Sequence, residues 1–364
     1  MNIAFINSIG INTWGGGEKW MLTTANGLRD KGHKVHFIGR RNGVFIRRCA
    51  ENGFPVFPMT LGGDFDPRII FRLARYFWEH RIDVVIGNFN KDCQLASLAR
   101  RISPVKAVVA RNGLPIVPNS LRYRLTYQLM VNGVITNTEA IKRRYMSYGW
   151  MREDLVKVIH NGVTLPPIEQ FNRKKICRQF NLPADKTLIG IFGRLVPQKQ
   201  HHLFIEIAGK LLPEYHYLHF LVVGEGPLKN EIVNLVQSRG IDGHFTFTGH
   251  LSNPYPLHYV NNLLLLSSDD EGMPNVVMEA MGMKTPVVAF DVGGVRELIP
   301  SPELGKVVPR NDLNEMLKEA RYYLDNPAIA QKTAEKAREW ILQEFSVPKM
   351  LNEVEAYLLS FVNG

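Results

Sequence analysis

Two glutamates, Glu271 and Glu279, stand eight positions apart in the stretch SSDDEGMPNVVMEAMGMKTPVVAF (267–290), on either side of an apolar run. A carboxylate among Val276, Val277, Met278, Ala280 and Met281 requires a hydrogen-bonding partner, and a pair of hydroxyl groups is one that fits. Upstream, GRLVPQK (193–199) offers Arg194 and Lys199, a planar fork and a point charge. That combination suits a diphosphate whose negative charge grows as its bond to a sugar breaks. TWGGGEKW (13–20) sets Gly15, Gly16 and Gly17 where the backbone can approach an anion at a helix start, and VVGEGPLK (222–229) adds Gly224 and Gly226 in a similar turn. Each feature also has a plain structural reading: an acid favouring a helix dipole, a satisfied core glutamate, a solvated helix start, a tight turn without a ligand.

These residues meet only if strands deliver them to a common edge. The first half of the chain alternates β-branched runs (2–6, 35–39, 83–87, 107–111, 133–137, 156–161) with helical patterns, which predicts a parallel sheet. TLPPIEQFNRKK (164–175) breaks the rhythm with two prolines and a polar cluster and reads as a linker. The rhythm then restarts with strands expected at 188–193, 219–224, 244–249, 263–268 and 286–290, and ends in helical patterns from Asp312 to Phe361. A length of 364 residues also favours two cores over one. The expected class is α/β, two doubly wound Rossmann-like domains facing across a cleft, with ligands at the carboxyl ends of the strands. LLLLSS is then a buried strand, DDEGMPN the loop at its carboxyl end, and NVVMEAM the helix that follows, with Pro274 in its first turn. The expected divisions are an acceptor-binding domain over 1–165, a donor-binding domain over 166–345, and a C-terminal helix over 346–364 packing back on the first domain.

The formal charge of +10 is unevenly spread: residues 1–160 hold 24 Lys and Arg against 11 Asp and Glu, and the remainder 20 against 23. Such a basic half points to an anionic partner, whether nucleic acid, acidic lipid or a phosphorylated acceptor. Three widely spaced cysteines, Cys49, Cys93 and Cys177, fit neither a disulfide framework nor a zinc site. No apolar run is long enough for a membrane span, and the start MNIAFINS lacks the basic residues and cleavage site of a signal peptide. The expected location is cytoplasmic, peripheral at the inner face of the cell membrane. A dinucleotide reading of the first glycine cluster fails, because it is not G-x-G-x-x-G and no acid ends the second strand (Gly39, Arg40).

Taken in order, the Gly-rich first loop, HNGV (160–163), GRLVPQK, VGEGP, EGMPNVVMEAM and GGVRE (293–297) resemble the retaining glycosyltransferases of the family-4 type, whose E-x7-E motif Glu271 and Glu279 match and whose two-Rossmann architecture is called GT-B. The resemblance covers nearly the whole chain. It implies that Arg194 and Lys199 bind the donor diphosphate, that Glu279 binds the nucleotide ribose, and that Glu271, with the loop Gly272, Met273, Pro274 and Asn275 and its free backbone amides, binds the donor sugar and phosphate. Gly193 and Gly224 lie at the donor turns, and Gly16 and Gly17 approach the donor from the other domain. It also implies retention of anomeric configuration, a UDP-linked sugar as donor substrate, and neither cofactor nor metal, in keeping with the absence of a D-x-D pair placed for Mg²⁺. Arg194, Lys199, Glu271 are the expected catalytic residues. Three positions depart from the pattern: Gln200 and Lys284 stand where the family usually has glycine, and Arg111 stands where it often has histidine. Arg111 cannot serve as a base at neutral pH and reads as a hydroxyl or phosphate contact, or as a structural pairing.

The first domain of such enzymes binds the acceptor. DFDPRIIFRLARYFWEHR (64–81) spaces Arg68, Arg72 and Arg75 along one helical face, with Ile69, Leu73, Phe77 and Trp78 available for packing, a pattern suited to anionic lipid or to a solvated helix on its own core. Arg47, Arg48, Lys142, Arg143 and Arg144 add to the charge. GNFNKD (87–92), which holds Asn90 and Lys91, resembles the corresponding loop of lipopolysaccharide-core glycosyltransferases, so that Asn90, Lys91 and Arg111 are the expected acceptor or sugar contacts. The acceptor implied is a bacterial surface glycan or lipid-linked glycan. A small soluble acceptor is the alternative, and a nucleic-acid-binding module explains the basic half but not the phosphate-type loops and glutamates of the other.

Overall fold

The computed structural model describes residues 1–60 and 66–363. Asp64 and Phe65 of the basic helical stretch therefore lie outside the described residues. The chain divides into two compact units, Met1–Gly162 with Val347–Gly364, and Val163–Ser346.

The first unit is built on seven parallel strands: β1 (Asn2–Asn7), β2 (Lys34–Arg40), β3 (Val56–Met59), β4 (Val84–Gly87), β5 (Ala107–Asn112), β6 (Gly133–Thr136) and β7 (Val156–Val158), in the order β3-β2-β1-β4-β5-β6-β7. Alternation along the strands explains why both faces must be covered. Ile3, Phe5, Val84, Ile86, Ala107 and Val109 point into one core, whereas Ala4, Ile6, Val85, Val108 and Ala110 point into the other. The second of these cores is closed by helices Pro67–Glu79, Asn90–Arg100, Leu121–Leu129 and Glu139–Met146. The first is closed by helices Gly16–Asp30 and Val44–Glu51 and by the chain's final helix, Val347–Ser360, whose Met350, Leu351, Val354 and Leu358 are buried there. Glu355 of that helix pairs with Lys31 at 2.5 Å and His33 at 2.7 Å.

The second unit repeats the plan with six parallel strands: β8 (Thr187–Phe192), β9 (Leu218–Val223), β10 (Phe245–Gly249), β11 (Leu263–Leu266), β12 (Val287–Phe290) and β13 (Lys306–Val308), ordered β10-β9-β8-β11-β12-β13. In both sheets the order reverses beside the first strand, between β1 and β4 and between β8 and β11. In open parallel sheets ligands bind beyond the carboxyl ends of the two strands at such a switch point.

Several sequence expectations are corrected. β3 and β13 were not expected; both are short edge strands, and β3 carries Pro58, which sheets tolerate at an edge. Pro274 is the cap before helix Asn275–Gly282, outside its first turn. Trp78 does not pack inward with Ile69, Leu73 and Phe77 but is 61% exposed.

Candidate active site

In the second unit the loop after β8 and the loop after β11 are tied together at the switch point. Gln198 O accepts from the Asp269 amide at 2.8 Å, Gln198 Nε2 donates to Asp270 O at 2.5 Å, and Ser267 Oγ donates to the Lys199 carbonyl at 3.1 Å. These bonds fix the backbone on which Lys199 stands, and its Nζ donates to Glu271 Oε1 in an ion pair. Arg194 is exposed and makes no side-chain hydrogen bond or ion pair among the described residues. A fixed lysine and an unengaged guanidinium on one loop at a carboxyl edge make an arrangement that receives an anion.

Two glycines let the loops come this close. A Cβ on Gly224 would sit 1.8 Å from the Gly193 carbonyl oxygen, and one on Gly293 would sit 1.8 Å from the Glu271 carbonyl oxygen. The GGVRE stretch is thus packed against the backbone of Glu271, where the Gly294 amide also donates to Gly272 O at 2.7 Å. Gly272, Met273 and Pro274 are buried, and Asn275 is half-buried at the start of helix Asn275–Gly282.

Glu279 lies on that helix, partly exposed, with its Oε2 3.5 Å from Nε2 of His258. The separation is within ion-pair range, but neither ring nitrogen of His258 has a hydrogen-bond partner among the described residues. His258 is completely buried and stacks on Phe192, the last residue of β8, with ring centroids 3.9 Å apart. Its carbonyl accepts from Thr285 Oγ1 at 2.5 Å. Sequence reasoning missed His258, since a single histidine in a helical pattern carries no spacing signal.

Both positions where a family glycine was expected have left-handed backbone. Gln200, directly after Lys199, has φ +46°, and Lys284 has φ +60°.

In the first unit a polar cluster occupies the carboxyl edge at the β1/β4 switch point. Glu18, three residues after Gly15, accepts from the Gly15 amide (2.9 Å) and from Asn7 Nδ2 at the end of β1 (2.9 Å), and Asn88 Nδ2 approaches at 3.5 Å. Gly16 and Gly17 open the helix above it, and a Cβ on Gly17 would lie 3.5 Å from Asn88 and 3.6 Å from Arg111 Nη1. Arg111 is buried, stacks its guanidinium 4.7 Å over Trp20, and donates from Nη2 to Asn161 Oδ1 at 3.3 Å. Burial pulls its pKa down to about 10, with the Glu18 carboxylate acting the other way, so the group stays charged at neutral pH. Glu18 and Asn7 were not singled out from sequence, although a glutamate three residues after a helix cap is a recognisable signal.

Asn90 and Lys91 open helix Asn90–Arg100; they border a cavity of about 260 Å³ with Arg122, Tyr123 and Tyr127. Asn90 is buried and neither amide atom has a hydrogen-bond partner among the described residues. A second cavity, of about 580 Å³, opens at the opposite, amino edge of this sheet beside Arg29, Lys34, His36 and Arg81. Among the described residues there is no group of three or more His, Cys, Asp or Glu side chains placed to hold a metal ion, and no helix is long and apolar enough to cross a membrane.

Residues 14–165 match the family described as Glycosyltransferase Family 4, and residues 172–340 match Glycosyl transferases group 1. The chain is 25% identical over 362 residues to the lipopolysaccharide core biosynthesis glycosyltransferase LpsD of Rhizobium meliloti, covering 98% of this chain and 97% of that protein. It is 31% identical over 155 residues to an alpha-D-kanosaminyltransferase of Streptomyces kanamyceticus, a match that spans 42% of this chain and only 40% of that relative's length. Among solved structures, HepE of Anabaena in complex with UDP superposes with a TM-score of 0.86 at 21% identity, covering 99% of this chain and 100% of that one. With one family model matched by each half and the parallel-sheet fold shared across the whole chain, the chain is built of a Glycosyltransferase Family 4 first domain and a Glycosyl transferases group 1 second domain in the GT-B fold.

Proposed function

We propose that the protein transfers a hexose or N-acetylhexosamine from a nucleotide diphosphate sugar, UDP-linked, to a glycan acceptor with retention of anomeric configuration and without a metal. One observation carries the reading: exposed Arg194 and Glu271-paired Lys199 stand together at the switch point of the second sheet. As the glycosidic bond to the diphosphate breaks, charge builds on the leaving oxygens, and the held Lys199 and unengaged Arg194, with the amides of helix Asn275–Gly282, are suited to offset it. Glu271 then serves the sugar hydroxyls, Glu279 the ribose hydroxyls, and an oxygen of the departing diphosphate takes the acceptor proton. The UDP held by the structurally similar HepE supports the choice of base.

The acceptor is proposed as a surface or lipid-linked glycan, such as a lipopolysaccharide core, held by the first unit through Asn90, Lys91 and Arg111. The full-length similarity to LpsD supports that class. The test is a screen of nucleotide sugars by thermal stabilisation and hydrolysis, with the product's anomeric configuration read by NMR and the rate measured in excess EDTA. Stabilisation by UDP-sugars, a retained anomer and an undiminished rate are expected. An inverted product, or a chelated enzyme that is inactive until Mg²⁺ or Mn²⁺ is added, would overturn the mechanism.

A further inference from the structure

Helix Leu121–Leu129 (LRYRLTYQL) is apolar on the wrong side. Its inward face is formed by buried Thr126 and Tyr127, yet Leu121, Leu125 and Leu129, spaced at i, i+4 and i+8 on the opposite face, are 70%, 48% and 68% exposed. At 100° per residue Arg122 and Arg124 flank this leucine stripe on either side, and the helix bears no acidic residue. A soluble surface rarely carries three large aliphatic side chains in line, because each leaves its apolar area in water.

The stripe is not isolated. The helix packs on helix Asn90–Arg100, where Gln94 Nε2 donates to Thr126 Oγ1 (2.9 Å) and Ser97 Oγ to the Met130 carbonyl (2.8 Å). Helix Asn90–Arg100 in turn packs on helix Pro67–Glu79, and the indole of Trp78 donates to the Ile102 carbonyl at 3.0 Å. The three helices lie side by side on one face of the first sheet. Helix Pro67–Glu79 repeats the same mixture, with Phe71 (66%) and Trp78 (61%) exposed beside Arg68, Arg72 and Arg75, of which, among the described residues, Arg75 alone pairs with an acid, Glu79 at 2.7 Å. Exposed Arg101 and Ile102 fill the ground between. Of the thirteen exposed large apolar side chains among the described residues, nine belong to the first unit, which is also the basic one.

We propose that this three-helix face docks on an anionic lipid bilayer, with the leucine stripe, Phe71 and Trp78 seated among the headgroups and the flanking arginines against lipid phosphates. Exposed aliphatics alone would suit another protein, but arginines interleaved on two helices that carry a single acid, Glu79, are complementary to a surface of fixed negative charge. Tryptophan is the side chain whose amphipathic ring prefers that depth. The inference goes beyond the transfer reaction and needs neither donor nor acceptor to be known.

The experiment is co-sedimentation of the full chain with vesicles of phosphatidylglycerol and phosphatidylcholine, alongside pure phosphatidylcholine vesicles, at low and high salt. The wild type should bind the anionic vesicles, more weakly in high salt, and not the neutral ones. The combined variant Leu121→Ser, Leu125→Ser, Leu129→Ser should lose about tenfold or more in partitioning with unchanged melting temperature and unchanged donor hydrolysis. Arg68→Gln with Arg72→Gln and Arg75→Gln should weaken binding and flatten its salt dependence. A wild type that ignores anionic vesicles, a triple-leucine variant that binds as well as the wild type, or a leucine variant whose only change is from dimer to monomer overturns the proposal. Because vesicle binding is read without catalysis, its failure is separate from failure of the proposed transfer activity.

Discussion

Lys199 Nζ donates to Glu271 Oε1 at the carboxyl edge of the second sheet, and the two side chains are only 17% and 9% exposed. The pair therefore holds itself together in a partly desolvated place, where each member is the other's counter-charge.

Removing one partner strands the other. Glu271→Ala and Lys199→Met should each lower the stability of the second unit by about 1–3 kcal/mol, and the double variant should lose less than the sum. If both also serve the donor, each single change cuts turnover roughly 30- to 1,000-fold, equivalent to about 2–4 kcal/mol. A double-mutant cycle in unfolding and in turnover checks both; strict additivity would show that the pair is incidental.

Glu279 and His258 call for a different readout. Glu279→Gln keeps size and hydrogen-bonding ability but removes the charge proposed to hold ribose hydroxyls, so the KM for the donor should rise at least as much as kcat falls. His258→Phe keeps the stack on Phe192 while removing the nitrogen 3.5 Å from Glu279. It should leave folding intact and change donor KM through the Glu279 position. Wild-type kinetics in both variants would remove ribose recognition from this helix.

Gln200 and Lys284 hold left-handed backbone without the freedom of glycine. That conformation costs a side-chain-bearing residue about 1 kcal/mol, partly offset by the greater entropy glycine loses on folding. Lys284→Gly and Gln200→Gly should each raise the stability of the second unit by about 0.5–1 kcal/mol, read as a higher denaturant midpoint. The ion pair of Lys284 with Glu335, at 3.8 Å and nearly half exposed, contributes too little to reverse the sign. A lowered midpoint in both variants would contradict the strain account.

Acid should act unequally on the two units. Burial depresses His36 in the first unit and His201 and His219 in the second from 6.5 to about 4, with neighbouring cationic groups adding to the effect. Between those values the unfolded chain binds protons that the folded chain refuses, so stability falls as pH drops through the window. Asp92 in the first unit works oppositely: burial raises it from 3.8 to about 6, so the folded form takes a proton first and gains stability on acidification. One histidine against one carboxyl leaves the first unit nearly balanced, whereas the second faces two uncompensated histidines. Unfolding followed by separate probes in each unit should show the second losing stability more steeply between about pH 6.5 and 4.

The doubly wound plan was legible because burial on both faces of a parallel sheet forces continuous apolar runs, as in LLLLSS and HFLVVG. Edge strands carry no such demand, and VFPM and KVV passed unseen. The glutamate pair and the basic loop were legible because strand ends dictate where the following loop goes. The pairing of Lys199 with Glu271 and the stack of His258 on Phe192 depend on contacts between segments far apart in sequence, which no local pattern encodes. The arginines of helix Pro67–Glu79 were read correctly as an exposed face, but the leucines of helix Leu121–Leu129 were not, since their spacing looks like that of an ordinary core-facing helix.

The last helix, Val347–Ser360, buries Met350, Leu351, Val354 and Leu358 in a core whose other walls were laid down by the first strands of the chain. During synthesis, then, the N-terminal sheet leaves the ribosome with one face only partly covered, by helices Gly16–Asp30 and Val44–Glu51, and must wait through the whole of the second unit for the rest, at about 1.5–3 kcal/mol for each large side chain left unburied. A stop codon anywhere after residue 162 and before helix Val347–Ser360 leaves that face of the first sheet partly uncovered. Such truncated chains are natural substrates of chaperones and proteases, so the emergence of helix Val347–Ser360 is itself the step that commits the amino-terminal half to its native state.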